Sequence, residues 1–109
     1  MAEDKERELL QRVCAIPDFF GCVIMDDRLP DWRLAEEYGN FLIRLSPEDP
    51  TAHMLIARAC RHLGELDRAL AELRRCRELI AGGKVSVVEQ EALSPILDAE
   101  ERYLSTNRP

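Results

Sequence analysis

The chain has 109 residues, of which 46% are hydrophobic and 33% are charged, and its formal net charge is −6. One domain of this length buries roughly 65% of its unfolded surface, which is enough for a core without disulfide bonds or metals. The acidic total argues against a general nucleic-acid binder, whose phosphate contacts need a basic footprint.

The charge is unevenly placed along the chain. Residues 1–50 hold six Lys and Arg against twelve Asp and Glu, residues 51–81 six against four, and residues 82–109 three against five. The net charges are therefore −6, +2 and −2. The basic middle indicates either a face that accepts an acidic partner or an ordinary solvated helix face.

The sequence carries no signal for export or for membrane insertion. No apolar stretch with a cleavage site follows the acidic start, and no run approaches the roughly 20 apolar residues of a membrane helix. We therefore expect a cytoplasmic protein. In a reducing compartment its cysteines, none of which forms a Cys-x-x-Cys pair, are expected to be small hydrophobes; they are Cys14, Cys22, Cys60 and Cys76.

The N-terminal third predicts one regular helix and one ambiguous segment. Residues 3–15 have apolar side chains at helical spacing, and Pro17 ends the pattern. Residues 18–25 form a nearly continuous apolar run that fits a short buried helix or a short strand. We favour a helix because no partner strand is visible elsewhere, and residues 26–30 are expected to form a turn.

The middle of the chain predicts three helices, over residues 31–45, 51–63 and 65–80. Asp49 and the following proline suit the start of the second helix. Gly64 suits its end, because glycine adopts the left-handed conformation that side chains resist.

The C-terminal stretch from 86 to 105 has a broad apolar face and predicts a last helix. Pro95 lies within it. The proline either starts a new helix that abuts the first or bends one long helix, and the sequence leaves both open.

Residues 51–82 resemble a tetratricopeptide repeat, a 34-residue helix-turn-helix unit. A second, more divergent unit ends 34 residues earlier, where Pro47 matches the family proline but Gly39 falls where a large apolar residue belongs. The positions that carry the resemblance are His53, Ile56, Ala57, Cys60, Gly64, Ala69, Leu73 and Cys76.

The resemblance implies an all-α protein of antiparallel helix pairs, stacked as a short right-handed array. It divides the single domain 1–109 into divergent N-terminal helices at 1–29, a repeat-like core at 30–81 and a C-terminal capping helix at 84–105. Any antiparallel helix pair with a glycine turn would match part of this pattern.

The resemblance also implies a binding surface. In this family the first helix of each pair lines the concave face, so Arg58 and Arg61 would grip a carboxylate or an acidic peptide above an apolar floor of Met54 and Leu55. The alternative is a solvated arginine pair. The full set of implied concave residues is Thr51, Met54, Leu55, Arg58, Arg61 and His62.

The sequence shows no constellation for catalysis, metal binding or a cofactor. His53 and His62 lie nine residues apart, and no other ligand pair has a familiar spacing. We therefore predict a non-catalytic protein-interaction module that binds a peptide or helix, with no nucleic acid or membrane partner. The alternative is a structural homodimer assembled through exposed apolar faces.

Overall fold

The computed structural model describes the backbone of residues 2–83 and 85–107 and the side chains of residues 4–83 and 85–106. All regular elements in these ranges are helical, so the predicted all-α class is confirmed. None of the described helices is long and apolar enough to cross a membrane. The helices are α1 (Ala2–Cys14), a π-helix (Gly21–Met25), α2 (Trp32–Leu45), α3 (Pro50–Leu63), α4 (Leu66–Ala81) and α5 (Val87–Asn107).

The boundaries of α2 and α3 follow from capping residues, of which the sequence predicts Asp49. The Asp31 carboxylate accepts a hydrogen bond from the backbone N–H of Arg33, and the Asp49 carboxylate accepts one from the backbone N–H of Thr51. Gly64 ends α3 with φ of +80°. Glycine reaches this left-handed region without steric cost, so the chain reverses directly into α4.

The ambiguous apolar run forms a helix, as favoured, but one of π type at Gly21–Met25. Asp18 precedes it with φ of +51°, and its carboxylate accepts the backbone N–H of Gly21. Asp27 follows it with φ of +55°. Both aspartates occupy a left-handed conformation that non-glycine residues adopt uncommonly, so this connection is an unusual one.

Helix α3 lies at the centre of the fold and is buried nearly all round. It contacts α2 on one side and α4 on the other, and residues 52–60 are all buried. Met54 belongs to the apolar cluster shared with α4 and α5, and Leu55 to the cluster shared with α1, α2 and the π-helix. A helix that is apolar on all sides is typical of such a central position.

Gly39 explains why α2 departs from the repeat pattern. A Cβ atom at this position would lie 2.4 Å from Cγ1 of Ile56 on α3. The missing side chain thus lets α2 approach α3 closely, and a large apolar residue would force the two helices apart.

Helix α5 is one helix that contains Pro95, so of the two alternatives the single helix is correct. It lies against α4 and α3. Its fully buried anchors are Leu97 and Leu104, whereas Val87 and Val88 in its first turn are exposed. Whether this arrangement completes a repeat-like array stays a prediction.

Candidate functional site

Two residues of the predicted concave surface lie in the core. Met54 and Leu55 are both fully buried, in the two different apolar clusters. The expectation that they form an exposed apolar floor is therefore wrong, because the helices and segments around α3 leave it no open concave side. Thr51, in the first turn of α3, is half-buried.

The remaining predicted residues converge on two carboxylates from distant parts of the chain. Arg58, Arg61 and His62 of α3 surround Asp27, which follows the π-helix, and Arg58 and Arg61 also contact Glu100 of α5. We call these five residues the Asp27–Glu100 cluster. The spacing of Arg58 and Arg61, one turn apart, predicts that these two side chains are neighbours on α3, but not which carboxylates contact them.

Arg61 makes the tightest contacts of this cluster. Its Nε donates to Oε2 of Glu100 over 2.6 Å, its Nη2 donates to Oε1 over 2.8 Å, and Nη2 also donates to Asp27. This is the bidentate pairing that guanidinium forks form with carboxylates. The guanidinium also lies 4.8 Å from the ring centroid of Tyr103 on α5, a cation–π contact.

Arg58 ties the π-helix to α3. Its Nη1 donates to the carbonyl oxygens of Val23 and Ile24, over 3.0 and 3.1 Å. Its Nε lies 2.8 Å from Oε1 of Glu100, but this N–H is not directed at an acceptor. The attraction between Arg58 and Glu100 is thus electrostatic rather than a directed hydrogen bond.

The charged side chains of this cluster are buried, so each of them needs a partner of opposite charge. Glu100 is only 3% exposed, and the side chains of Arg58 and Arg61 are 8% and 9% exposed. Burial alone would raise the pKa of Asp27, but hydrogen bonds from Arg61 and His62 outweigh it, so this pKa lies below its usual value. Burial alone would lower the pKa of Arg61, but the hydrogen bonds to Glu100 and Asp27 raise it above its usual value.

The cluster extends to the surface through His62. Its ring stacks on Trp32 with centroids 3.9 Å apart and planes 5° from parallel, and its Nε2 lies 2.8 Å from Oδ1 of Asp27. Trp32 thus packs at the start of α2. These contacts hold the 26–31 connection against α3. The cations that were expected to grip a partner's carboxylate already bind carboxylates of their own chain.

A second polar group lies between α2, α3 and α4. Oxygen and sulfur atoms of Glu36, Cys60 and Glu65 approach within 4.8 Å of one another. Arg33 contacts both carboxylates and Arg68 contacts Glu36, so the two negative charges are neutralised by two guanidiniums. Burial raises the pKa of Cys60 to about 12, which keeps the thiol protonated. The arrangement is an ion-pair network rather than a donor set awaiting a metal.

The surface between α4 and α5 holds a groove that the sequence interpretation missed. Its volume is about 470 Å³, and its apolar floor is the half-buried Leu70, with Leu73 beneath it only 2% exposed. The sequence places Leu70, Leu73, Arg74 and Arg77 at helical spacing, but the groove exists only because α5 packs alongside. We call it the α4–α5 groove; its lining residues are Leu70, Leu73, Arg74, Arg77, Glu78, Glu101 and Ser105.

The three arginines in the second half of α4 have different surroundings. Arg75 pairs with Glu78 one turn later in the same helix. Arg77 instead crosses to α5, where its Nε donates to Oε1 of Glu101 over 2.8 Å and it also pairs with Asp98. Arg74 is exposed and forms no ion pair with any residue whose side chain the structure describes. The groove therefore offers one cation beside an apolar floor.

Comparisons of the chain with protein-family models, with curated proteins and with solved structures found no match. The resemblance to tetratricopeptide repeats therefore stays a prediction from spacing and residue type.

Proposed function

We propose that this protein is a non-catalytic interaction module that binds an amphipathic helix or peptide of another protein chain in the α4–α5 groove. The observation that carries the proposal is the groove itself, in which an apolar floor lies beside the exposed Arg74, a side chain with no ion pair among the residues that the structure describes. Helix-in-groove recognition uses this combination, with apolar anchors on the floor and charges at the rim.

The geometry suggests what kind of segment fits. A groove of about 470 Å³ holds a few large side chains rather than a folded domain. An apolar residue of the segment would pack on the half-buried Leu70, because Leu73 is only 2% exposed and offers a partner little surface. A carboxylate beside this residue would pair with Arg74, so the partner is acidic at that edge.

This proposal moves the binding surface from α3 to α4 and α5. Arg58 and Arg61 form ion pairs with Asp27 and Glu100. A partner that drew the arginines away from these carboxylates would leave buried charges unpaired. The cytoplasmic location and the absence of catalysis stay predictions from the sequence.

The proposal can be tested by capture from a lysate of the source cells with immobilised wild-type protein and two variants. Arg74→Glu reverses the charge at the groove, and Arg75→Glu is the matched control, because Arg75 has an intrahelical partner and does not line the groove. We expect the wild type and Arg75→Glu to retain the same partner and Arg74→Glu to lose it, with equal helicity by circular dichroism. Retention of the same proteins by all three would remove the groove as the binding site.

A further inference from the structure

The α4–α5 groove separates its charges along its length. Its lining includes two arginines and two glutamates, so the groove as a whole carries no net charge. On its α4 wall, however, Leu70, Arg74 and Glu78 lie four residues apart, so they form one row with about 6 Å between successive members. This row passes from an apolar side chain through a cation to a carboxylate. A segment that lies along the groove meets these three side chains in that order.

The α5 wall continues the same order. Only residues 82–86 separate α4 from α5, and the two helices pack together, so they run in opposite directions. Arg77 of α4 pairs with Asp98 and Glu101 of α5, which places both carboxylates beside Glu78. We call this part of the groove, formed by Glu78, Asp98 and Glu101, the carboxylate end.

The carboxylate end has more negative than positive charge. Asp98 and Glu101 share the single guanidinium of Arg77, and the side chain of Asp98 is 60% exposed. Glu78 pairs with Arg75 in a contact between exposed side chains, which contributes little to stability. Three carboxylates thus meet two guanidiniums, and a cation of a partner can join them without breaking a buried ion pair.

The other end of the groove has the opposite surplus. A second depression shares Ser105 with the groove and extends it over the surface of α5 as far as Arg102. Arg102 lies one turn before Ser105, and Ser105 lines the groove together with Arg74. Both arginines are exposed, and neither forms an ion pair with a side chain in the described ranges 4–83 and 85–106. A carboxylate of a partner can therefore pair with a cation here.

This separation of charge disfavours a partner segment that carries one sign of charge throughout. A uniformly acidic segment would place carboxylates against the carboxylate end, and a uniformly basic segment would place cations against Arg74 and Arg102. Like charges brought together at an interface cost free energy, so the arrangement selects the partner and fixes its register.

We infer that the groove selects a helical segment in which an acidic residue lies four positions from an apolar residue on one side and four positions from a basic residue on the other. The apolar residue packs on Leu70, the acidic residue pairs with Arg74, and the basic residue meets the carboxylate end. Four residues of a helix rise about 6 Å, so the spacing of the segment matches the row on α4. This inference rests on the proposed function, because it states the chemistry of the segment that binds in the same groove.

The test is a selection from a phage-displayed library of alanine-based peptides with one randomised face, each of about 15 residues so that a helix can form in water. The immobilised wild type and three variants select from the same library. Arg74→Glu reverses the charge in the middle of the row, and Glu78→Arg reverses the charge at its end. Glu91→Arg is the matched control, because Glu91 is exposed on α5 and does not line the groove. Circular dichroism establishes that all four proteins have equal helicity.

The enriched sequences report which charge the groove requires at each position. We expect the wild type and Glu91→Arg to enrich the same order, with the acidic residue between the apolar and the basic one. Arg74→Glu should exchange the acidic residue for a basic one, and Glu78→Arg should exchange the basic residue for an acidic one. A purely structural role of Arg74 or Glu78 would not reverse the sign of the enriched residue.

The affinity of the enriched peptide gives the size of the effect. Fluorescence anisotropy with the purified proteins should show that Arg74→Glu weakens binding about fivefold or more, equivalent to about 1 kcal/mol. A peptide whose acidic residue is replaced by lysine should bind Arg74→Glu more tightly than it binds the wild type. Glu91→Arg should bind the original peptide like the wild type.

The place of binding shows which proposal has failed if the charge order is absent. A benzophenone group on the enriched peptide cross-links it under light to the residues that it contacts, and peptide mass spectrometry identifies them. Cross-links to the groove without a charge order, or with the same order for every variant, would overturn this inference and leave the proposed function standing. Cross-links only outside the groove, or no enrichment over an uncoated surface, would overturn both.

Discussion

The Asp27–Glu100 cluster and the α4–α5 groove both contain arginines, which come from the neighbouring helices α3 and α4. The arginines differ in their exposure to solvent. Arg58 and Arg61 of α3 are buried and paired with carboxylates from the 26–31 connection and from α5. Arg74 of α4 is exposed beside an apolar floor. The difference shows that helix position alone does not decide which cation can meet a partner. The decisive factor is which other segment covers the helix.

The largest expected effect comes from removing a charge inside the cluster. Glu100→Gln should lower the free energy of unfolding by about 3–5 kcal/mol, because it leaves Arg58 and Arg61 buried with only Asp27 as a counter-charge. Urea unfolding followed by circular dichroism measures the change. Glu101→Gln is the matched control on the half-exposed groove rim and should cost less than about 1 kcal/mol. Similar losses for both variants would contradict the contrast between the two regions.

The sequence predicts the features of this contrast that depend on residues close together in the chain, and not those that depend on residues far apart. The helices, the Asp49 cap and the Gly64 turn follow from local spacing and residue type, so the sequence predicts them. The pairing of Arg61 with Glu100 joins residues 39 positions apart, and no local pattern encodes it. The repeat resemblance alone places Met54 and Leu55 on the surface, and it does so wrongly, because no local pattern shows that apolar layers cover both sides of α3.

A second, smaller effect is the dependence of stability on pH that the buried thiols of the core cause. Burial raises the pKa of Cys60 and of Cys76 to about 12, whereas unfolded thiols titrate near 8.5. Their contribution to stability is complete below about pH 8.5 and falls as the pH rises towards 12, because only the unfolded state loses these protons. We expect a loss of about 1–2 kcal/mol per thiol by pH 10.

Urea unfolding at pH 8 and pH 10 checks this dependence. The control is Cys60→Ala/Cys76→Ala, which should be less stable at pH 8 but should lose less stability between the two pH values. An equal loss in both proteins would show that the thiols do not titrate on unfolding as described.

The smallest expected effect comes from the groove. Arg74→Ala should change the free energy of unfolding by less than about 0.5 kcal/mol, because Arg74 is exposed and no described side chain forms an ion pair with it. Thermal unfolding of the dilute protein measures this without interference from association. A decrease of more than 1 kcal/mol in the free energy of unfolding would mean that Arg74 stabilises the fold, which would contradict its assignment to partner binding.

The most direct test of the contrast is the reactivity of the arginines in the native protein. Treatment of dilute, monomeric protein with phenylglyoxal, followed by peptide mass spectrometry over time, reports each guanidinium separately. We expect Arg74 to be modified rapidly and Arg58 and Arg61 to react only when urea unfolds the chain, because their side chains are 8% and 9% exposed. Modification of Arg58 and Arg61 as fast as Arg74 would contradict the assignment of one region to the fold and the other to a partner.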